Sequence, residues 1–332
     1  MEKFSWNQTI KINILMLQSV GLWPKGDEMY KRDLYALYAI ISTIVIMGGH
    51  NFFQVMNVFF VYKNLEALTG TIFITVTDVL ASIKMYFFIQ NIGVIKQLMI
   101  TLNSRLFQPK NSAQIDLVRP GLNSWKFMYV TFWIMTSTTV FTYSIFPFLD
   151  NSVKEKNLPF VAWYPYNAKI SPLYEITYLY QVLGIWYLTV ANINMDTMIA
   201  GLMMYVQTQC DILCDNLRNL GSFTQTELNE GYTFNHKIII CVKHHRLMVH
   251  FAENCNRFFN MIVLGQFCTS TVVIALTMFQ LTLVDPLSSA SLSHLSYVTA
   301  ITVQLFLYCW FGNEVEIKVR DLSFSNSSRV KK

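Results

Sequence analysis

Charge is the commodity this chain has least of. Only 14% of its residues are Asp, Glu, Lys or Arg, against roughly a quarter in a soluble globular chain. That deficit excludes an ordinary water-soluble domain. Catalytic signatures are missing too. There is no GxSxG, HExxH, P-loop or Rossmann fingerprint, so no enzyme and no cofactor are expected. His244, His245 and His250 lack the i, i+4 spacing of a helical metal clamp, and Cys210 and Cys214 have that spacing without a second pair, so no metal site is expected. No internal repeat or low-complexity block divides the sequence, which reads as one domain over 1–332. Residues 10–23 are apolar but short and lack a small-residue cleavage pattern, so they read as an interfacial or re-entrant segment rather than a signal peptide.

What the chain does have is long apolar runs. Hydrophobic residues make up 53% of it, and about 20 mostly apolar residues cross a bilayer as a helix. Six runs qualify, at about 34–62, 67–95, 127–148, 176–206, 258–284 and 295–313. A membrane β-barrel would instead alternate apolar and polar residues in short segments. The expected fold is therefore an all-α membrane protein with six visible transmembrane helices. Residues 1–33 form an N-terminal segment, 207–257 a helical extension outside the bilayer, and 314–332 a tail. Gly221-Ser222 is a helix stop and Thr224-Gln225-Thr226-Glu227 a new cap within that extension.

Lys and Arg set the orientation. Twenty of the 25 lie in residues 1–33, in the loops after the second and fourth spans, and in the tail. Only Lys63, Lys154, Lys156 and Lys169 lie on the other side, and Lys84 lies within the second span. Both termini are thus expected in the cytoplasm. The net charge of +5 reflects this bias and gives no reason to invoke nucleic acid. The outer loops contain no cysteine, so no disulfide framework is implied. Trp163, Tyr164 and Tyr166 in the second outer loop fit an aromatic belt at the headgroups.

Polar residues inside spans face the bundle or a cavity. His50, Gln54 and Asn57 share one helical face, as do Thr71, Thr75, Asp78 and Ser82, while Asn192 and Asp196 are one turn apart. The direction of each span then selects the outer half of the bundle. It gathers Phe73, Thr77, Thr139, Tyr143, Phe146, Tyr178, Gln181, Phe279, Gln280 and Tyr297, apolar and aromatic walls with a few polar groups, suited to a small lipophilic molecule. Ordinary aromatic packing and interhelical hydrogen bonding are the commoner explanation of each residue taken singly. Lys84 is expected to snorkel toward the headgroups, because six residues place it on a different face from Asp78.

Several segments together resemble insect odorant receptors. They are Gly21-Leu22-Trp23-Pro24, the stretch Leu158-Pro159-Phe160 through Gln181, Asp196-Thr197, Gln209 to Leu217, His245, Gln266-Phe267 and the octet Tyr308-Cys309-Trp310-Phe311-Gly312-Asn313-Glu314-Val315. The octet carries most of the likeness, and within it Tyr308, Trp310, Gly312, Asn313 and Glu314, with Asp196, are implied to serve structure and assembly. The resemblance implies a multi-pass protein of the plasma membrane of olfactory sensory neurons, inverted relative to G-protein-coupled receptors. It further implies an odorant-binding subunit that gates a non-selective cation channel with a common co-receptor, as a tetramer. Ser323–Lys332 is short, polar and basic, and no seventh apolar run follows. The expectation is a six-helix bundle that does not form a working channel alone. A gustatory-type receptor and a transporter of small lipophilic molecules stand as alternatives.

Overall fold

The computed structural model describes residues 4–24, 33–150, 152–221 and 233–330, and all regular structure among them is helical. The helices are α1 (Lys11–Ser19), α2 (Leu34–Val61), α3 (Leu65–Gln90), α4 (Ile92–Leu102), α5 (Ser112–Leu149), α6 (Leu173–Arg218), α7 (Phe234–Leu283) and α8 (Ser289–Val330). Side-chain caps fix five of the starts; before α8, Ser288 accepts from the Ser291 N–H at 3.1 Å. Asp33 accepts from the Ala36 N–H at 2.8 Å, Asn64 from Ala67 at 3.2 Å, Asn111 from Gln114 at 2.8 Å and Thr233 from His236 at 3.3 Å, each satisfying a donor that a first turn leaves free. The cap expected at Thr224–Glu227 lies outside the described residues.

Among the described residues, five helices are long and apolar enough to cross a membrane: α2, α3, α5, α7, and α8 as far as Ser323. Their outward faces carry exposed Ile41, Ile44, Phe59, Phe127, Ile134 and Leu264, the coat expected of a lipid-facing surface. The run at 176–206, in α6, is not among the five. Packing explains its composition. This helix touches α1, α3, α5, α7 and α8, and from Ile193 to Cys210 all residues except Met203 are buried. A helix ringed by protein over that stretch meets no lipid there. It can carry Asn194, Asp196, Thr197, Gln207, Thr208 and Gln209 if its neighbours supply their hydrogen bonds.

The helices run past the apolar segments. The 50 residues of α7 span about 75 Å, more than twice a hydrocarbon core of about 30 Å; of the stretch 207–257, the described residues continue α6 to Arg218 and begin α7 at Phe234. Three boundaries differ from the sequence reading. The second span, expected to reach 95, ends at Gln90, and Ile92–Leu102 forms a separate helix after a break where the Asn91 side chain donates to the Phe87 carbonyl at 2.8 Å. The tail expected at 314–332 is helical to Val330; Lys318 pairs with Asp211 at 2.9 Å and Leu322 is buried. Finally, the N-terminal segment is wedged into the bundle rather than lying on it. Trp6, Ile10, Leu17 and Leu22 are fully buried, and Asn13 donates to the Asn194 carbonyl (3.0 Å) and the Thr197 hydroxyl (2.6 Å). The chain leaves α1 through Gly21 at φ +76°, where a Cβ would stand 2.8 Å from Ala39, so only glycine fits the turn.

Candidate functional site

Where α3, α5, α6 and α8 meet they enclose a cavity of about 80 Å³. Helical spacing brings each wall to it. Thr77, Asp78 and Ala81 come from α3; Phe132, Thr136, Thr139 and Tyr143 from α5; Ile185, Leu188, Thr189 and Asn192 from α6; Tyr297, Ile301 and Gln304 from α8. The loop before α6 adds Phe160, whose ring stacks on Tyr143 at 5.6 Å. Thr77 and Thr139 donate their hydroxyl hydrogens to the Phe73 and Met135 carbonyls at 3.0 Å, and Thr136 donates to Phe132. The Tyr297 hydroxyl lies 2.6 Å from Thr77 Oγ1; since the Thr77 proton is committed, Tyr297 is the donor. Tyr143 is hydrogen-bonded to His294 Nδ1 at 2.9 Å.

Of the residues gathered from span direction, Thr77, Thr139, Tyr143 and Tyr297 line this cavity. Phe73 is buried one turn away, edge-on to Tyr297. Tyr178 and Gln181 stand behind the wall. Tyr178 donates to the Ser144 carbonyl at 2.8 Å. Gln181 accepts from the Phe160 N–H (3.1 Å) and donates to its carbonyl (2.9 Å), which pins the phenyl ring in place. Phe146 is half-buried and outside the wall. Among the described residues, α7 contributes no lining side chain. Its buried face runs through Gln266, Ser270, Val273, Thr277 and Gln280. Gln280 is used against Thr69 and the Glu66 carbonyl, while Phe279, one residue round the helix, is 40% exposed on the outer surface.

Phe160 escaped the sequence reading because it lies in a loop, where periodicity carries no signal. The same loop carries the aromatic residues expected at the headgroups. It folds back on the bundle, so that Tyr164 is buried against Phe53 at 4.7 Å, Tyr166 bonds the Thr177 hydroxyl at 2.8 Å and Trp163 stacks on Phe60 at 5.5 Å.

The cavity also runs deeper than the outer half. Its inner end is formed by Asn192 and Gln304, and both belong to a buried ionic network. Lys84 does not snorkel. Its ammonium is 1% exposed and donates to Asp196 Oδ1 at 2.8 Å and Asn192 Oδ1 at 2.9 Å. Asp196 also accepts from the Tyr308 hydroxyl at 2.6 Å and from Gln304, whose own carbonyl accepts from Gln266 at 3.0 Å. A lone carboxylate or ammonium in hydrocarbon is costly; an ion pair with three donors on the carboxylate satisfies both charges. Tyr308 thus ties α8 to the network. Trp310, Gly312 and Asn313 point outward, and Glu314 is half-buried, 3.4 Å from the Gln207 amide.

Comparison with known proteins places this architecture. The family model described as 7tm Odorant receptor matches residues 64–325. Odorant receptor Or1 of Anopheles gambiae is 26% identical over 326 residues, covering 92% of this chain and 77% of that receptor. Odorant receptor 46a, isoform A, of Drosophila melanogaster is 21% identical over 327 residues, covering 97% and 81%. The solved olfactory receptor OR5 from Machilis hrabei superposes with a TM-score of 0.81 at 17% identity, over 95% of this chain and 81% of that one. The same receptor in complex with eugenol gives 0.80 at 16% identity, over 95% and 82%. With the family model matched over most of its length, the chain belongs to the 7tm odorant receptor family.

Proposed function

We propose that this chain is an odorant-binding subunit that takes a small volatile molecule into the cavity between α3, α5, α6 and α8, and that it gates a cation channel in a hetero-tetramer with a co-receptor. Its place is the plasma membrane of olfactory sensory neurons, with the N-terminus cytoplasmic, as the distribution of Lys and Arg supports. The observation that carries the reading is that Asn192 and Gln304 do two jobs. They close the inner end of the cavity, and they hold Lys84 and Asp196. A molecule that shifts either side chain alters the hydrogen bonds on Asp196, and through Tyr308 the seat of α8. The related receptor solved with eugenol supports a ligand of this size class. At about 80 Å³ the cavity is roughly half the void that holds benzene in an engineered protein core. Even a benzene-sized ligand therefore enters only as the wall moves, and the Phe160 and Tyr143 rings are its most adjustable part.

Co-expression with a co-receptor and recording of odorant-evoked current tests this. Thr139→Trp fills the cavity, and the evoked current is expected to fall at least tenfold with surface labelling unchanged. A full response from that variant overturns the assignment of the cavity. Accessibility of epitopes at both termini in intact cells tests the orientation.

A further inference from the structure

The wall of the cavity is rich in hydrogen-bond acceptors and poor in free donors. Thr77, Thr136 and Thr139 have given their hydrogens to their own helix, a common habit of threonine in helices. What they present to the cavity is lone pairs. Tyr297 spends its hydrogen on Thr77, and Gln304 spends an amide hydrogen on Asp196. Asp78 adds a carboxylate. It is 4% exposed and lines the cavity; no hydrogen bond is made to its Oδ1 among the described residues, while its Oδ2 is closed off from the cavity. The group that faces that oxygen is His50 Nε2 at 3.4 Å, which is itself bonded to the Gln54 side chain at 3.0 Å. Among the described residues, the donors left over in the wall are the second amide hydrogen of Gln304, the Asn192 amide nitrogen and the Thr189 hydroxyl, toward the inner end. A buried acceptor without a donor costs free energy that an incoming donor recovers.

We infer that the cavity selects small molecules that donate a hydrogen bond, alcohols and phenols, over ethers of the same size, and that Asp78 is the residue that sets this preference. The inference rests on the reading of this cavity as the ligand site.

Isomeric pairs test it: hexan-1-ol against methyl pentyl ether, and 4-methylphenol against anisole. Within each pair the heavy-atom count is equal, so apolar burial is closely matched. Dissociation constants are measured by calorimetric titration on the purified full chain in detergent micelles. The alcohol or phenol is expected to bind roughly tenfold more tightly than its isomer, as suits a hydrogen bond to a buried acceptor that otherwise lacks a donor. In Asp78→Asn, whose amide supplies a donor of its own, the ratio is expected to shrink to within about threefold. Thr136→Val, which removes one acceptor and leaves Asp78 in place, should narrow the ratio by less, and it serves if the Asp78 variant does not fold. Equal binding of both isomers to the native chain, with all binding lost in Thr139→Trp, overturns the donor preference and leaves the site standing. Binding that survives Thr139→Trp overturns the site itself.

Discussion

Replacing Lys84 by methionine keeps the length and the apolar stem and removes only the charge and its hydrogen bonds. In the structure that change leaves Asp196 fully buried as a carboxylate with Tyr308 and Gln304 still donating to it, and strips Asn192 Oδ1 of its donor. Breaking one half of a buried ion pair costs about 3 to 5 kcal/mol. Asp196→Leu, which leaves the ammonium with Asn192 Oδ1 as its acceptor, should cost a similar amount. The double variant Lys84→Met with Asp196→Leu removes both charges and should recover most of the loss, since apolar replacements of a buried pair are often neutral or stabilising. A double-mutant cycle on purified protein in detergent, followed by chemical unfolding, reads the coupling directly. The expected coupling is about 2 kcal/mol or more. A Lys84→Met variant within about 0.5 kcal/mol of the native chain would refute the network and would instead fit an ammonium lodged among the headgroups.

Three further outcomes follow from the geometry. Gly184→Val places a Cβ within 2.8 Å of the His50 ring, where α2 approaches α6 most closely, and is expected to destabilise by about 1 to 3 kcal/mol in the same unfolding assay. Gln181→Leu removes the two hydrogen bonds that pin Phe160, each worth about 1 kcal/mol, and should raise hydrogen exchange at residues 158–166 while exchange in α6 stays unchanged. His244 lies in the part of α7 ahead of the apolar run at 258–284. Burial pushes its imidazole down to about 4, with Lys110 and His245 adding to the effect, and its Nε2 bonds Gln209 at 3.0 Å. The unfolded chain takes up that proton near pH 6.5, so the stability due to neutral His244 is complete above pH 6.5. It drains away as the pH falls, by roughly 3 kcal/mol at pH 4. His244→Gln should flatten this pH dependence of the unfolding midpoint.

How much of this was legible beforehand depends on where each residue sits. The apolar runs disclose the helices because lipid demands a long hydrophobic face, and span direction, which fixes depth along a helix, gathers Thr77, Thr139, Tyr143 and Tyr297, the four of its set that line the cavity. Depth does not fix rotation about the helix axis. Phe279 is at the right depth and on the wrong face, and only the packing of Gln266, Ser270 and Gln280 shows which way α7 turns. The partner of Lys84 was out of reach for another reason. Spacing along α3 excluded Asp78, but Asp196 lies 112 residues away on a different helix, and a single sequence carries no sign of that pairing. The α1 segment shows a third limit, since an apolar helix of nine residues looks the same whether its greasy side meets lipid or the buried face of α6.

The central position of α6 bears on how the protein is made. Each helix must enter the bilayer from the translocation machinery, and an aspartate or lysine at the middle of a membrane helix costs about 2.5 to 3.5 kcal/mol at that step. Lys84 emerges first, in α3, and stays uncompensated until α6 has been synthesised 112 residues later. Then α6 arrives with Asp196, too polar to be comfortable in lipid and shaped for a berth among its neighbours. Tyr308 and Gln304 come last, with α8. Biogenesis of this receptor is therefore a waiting game in which early helices hold a place open for a late one, and a defect in either charge should show as retention in the endoplasmic reticulum before it shows as a failure to sense.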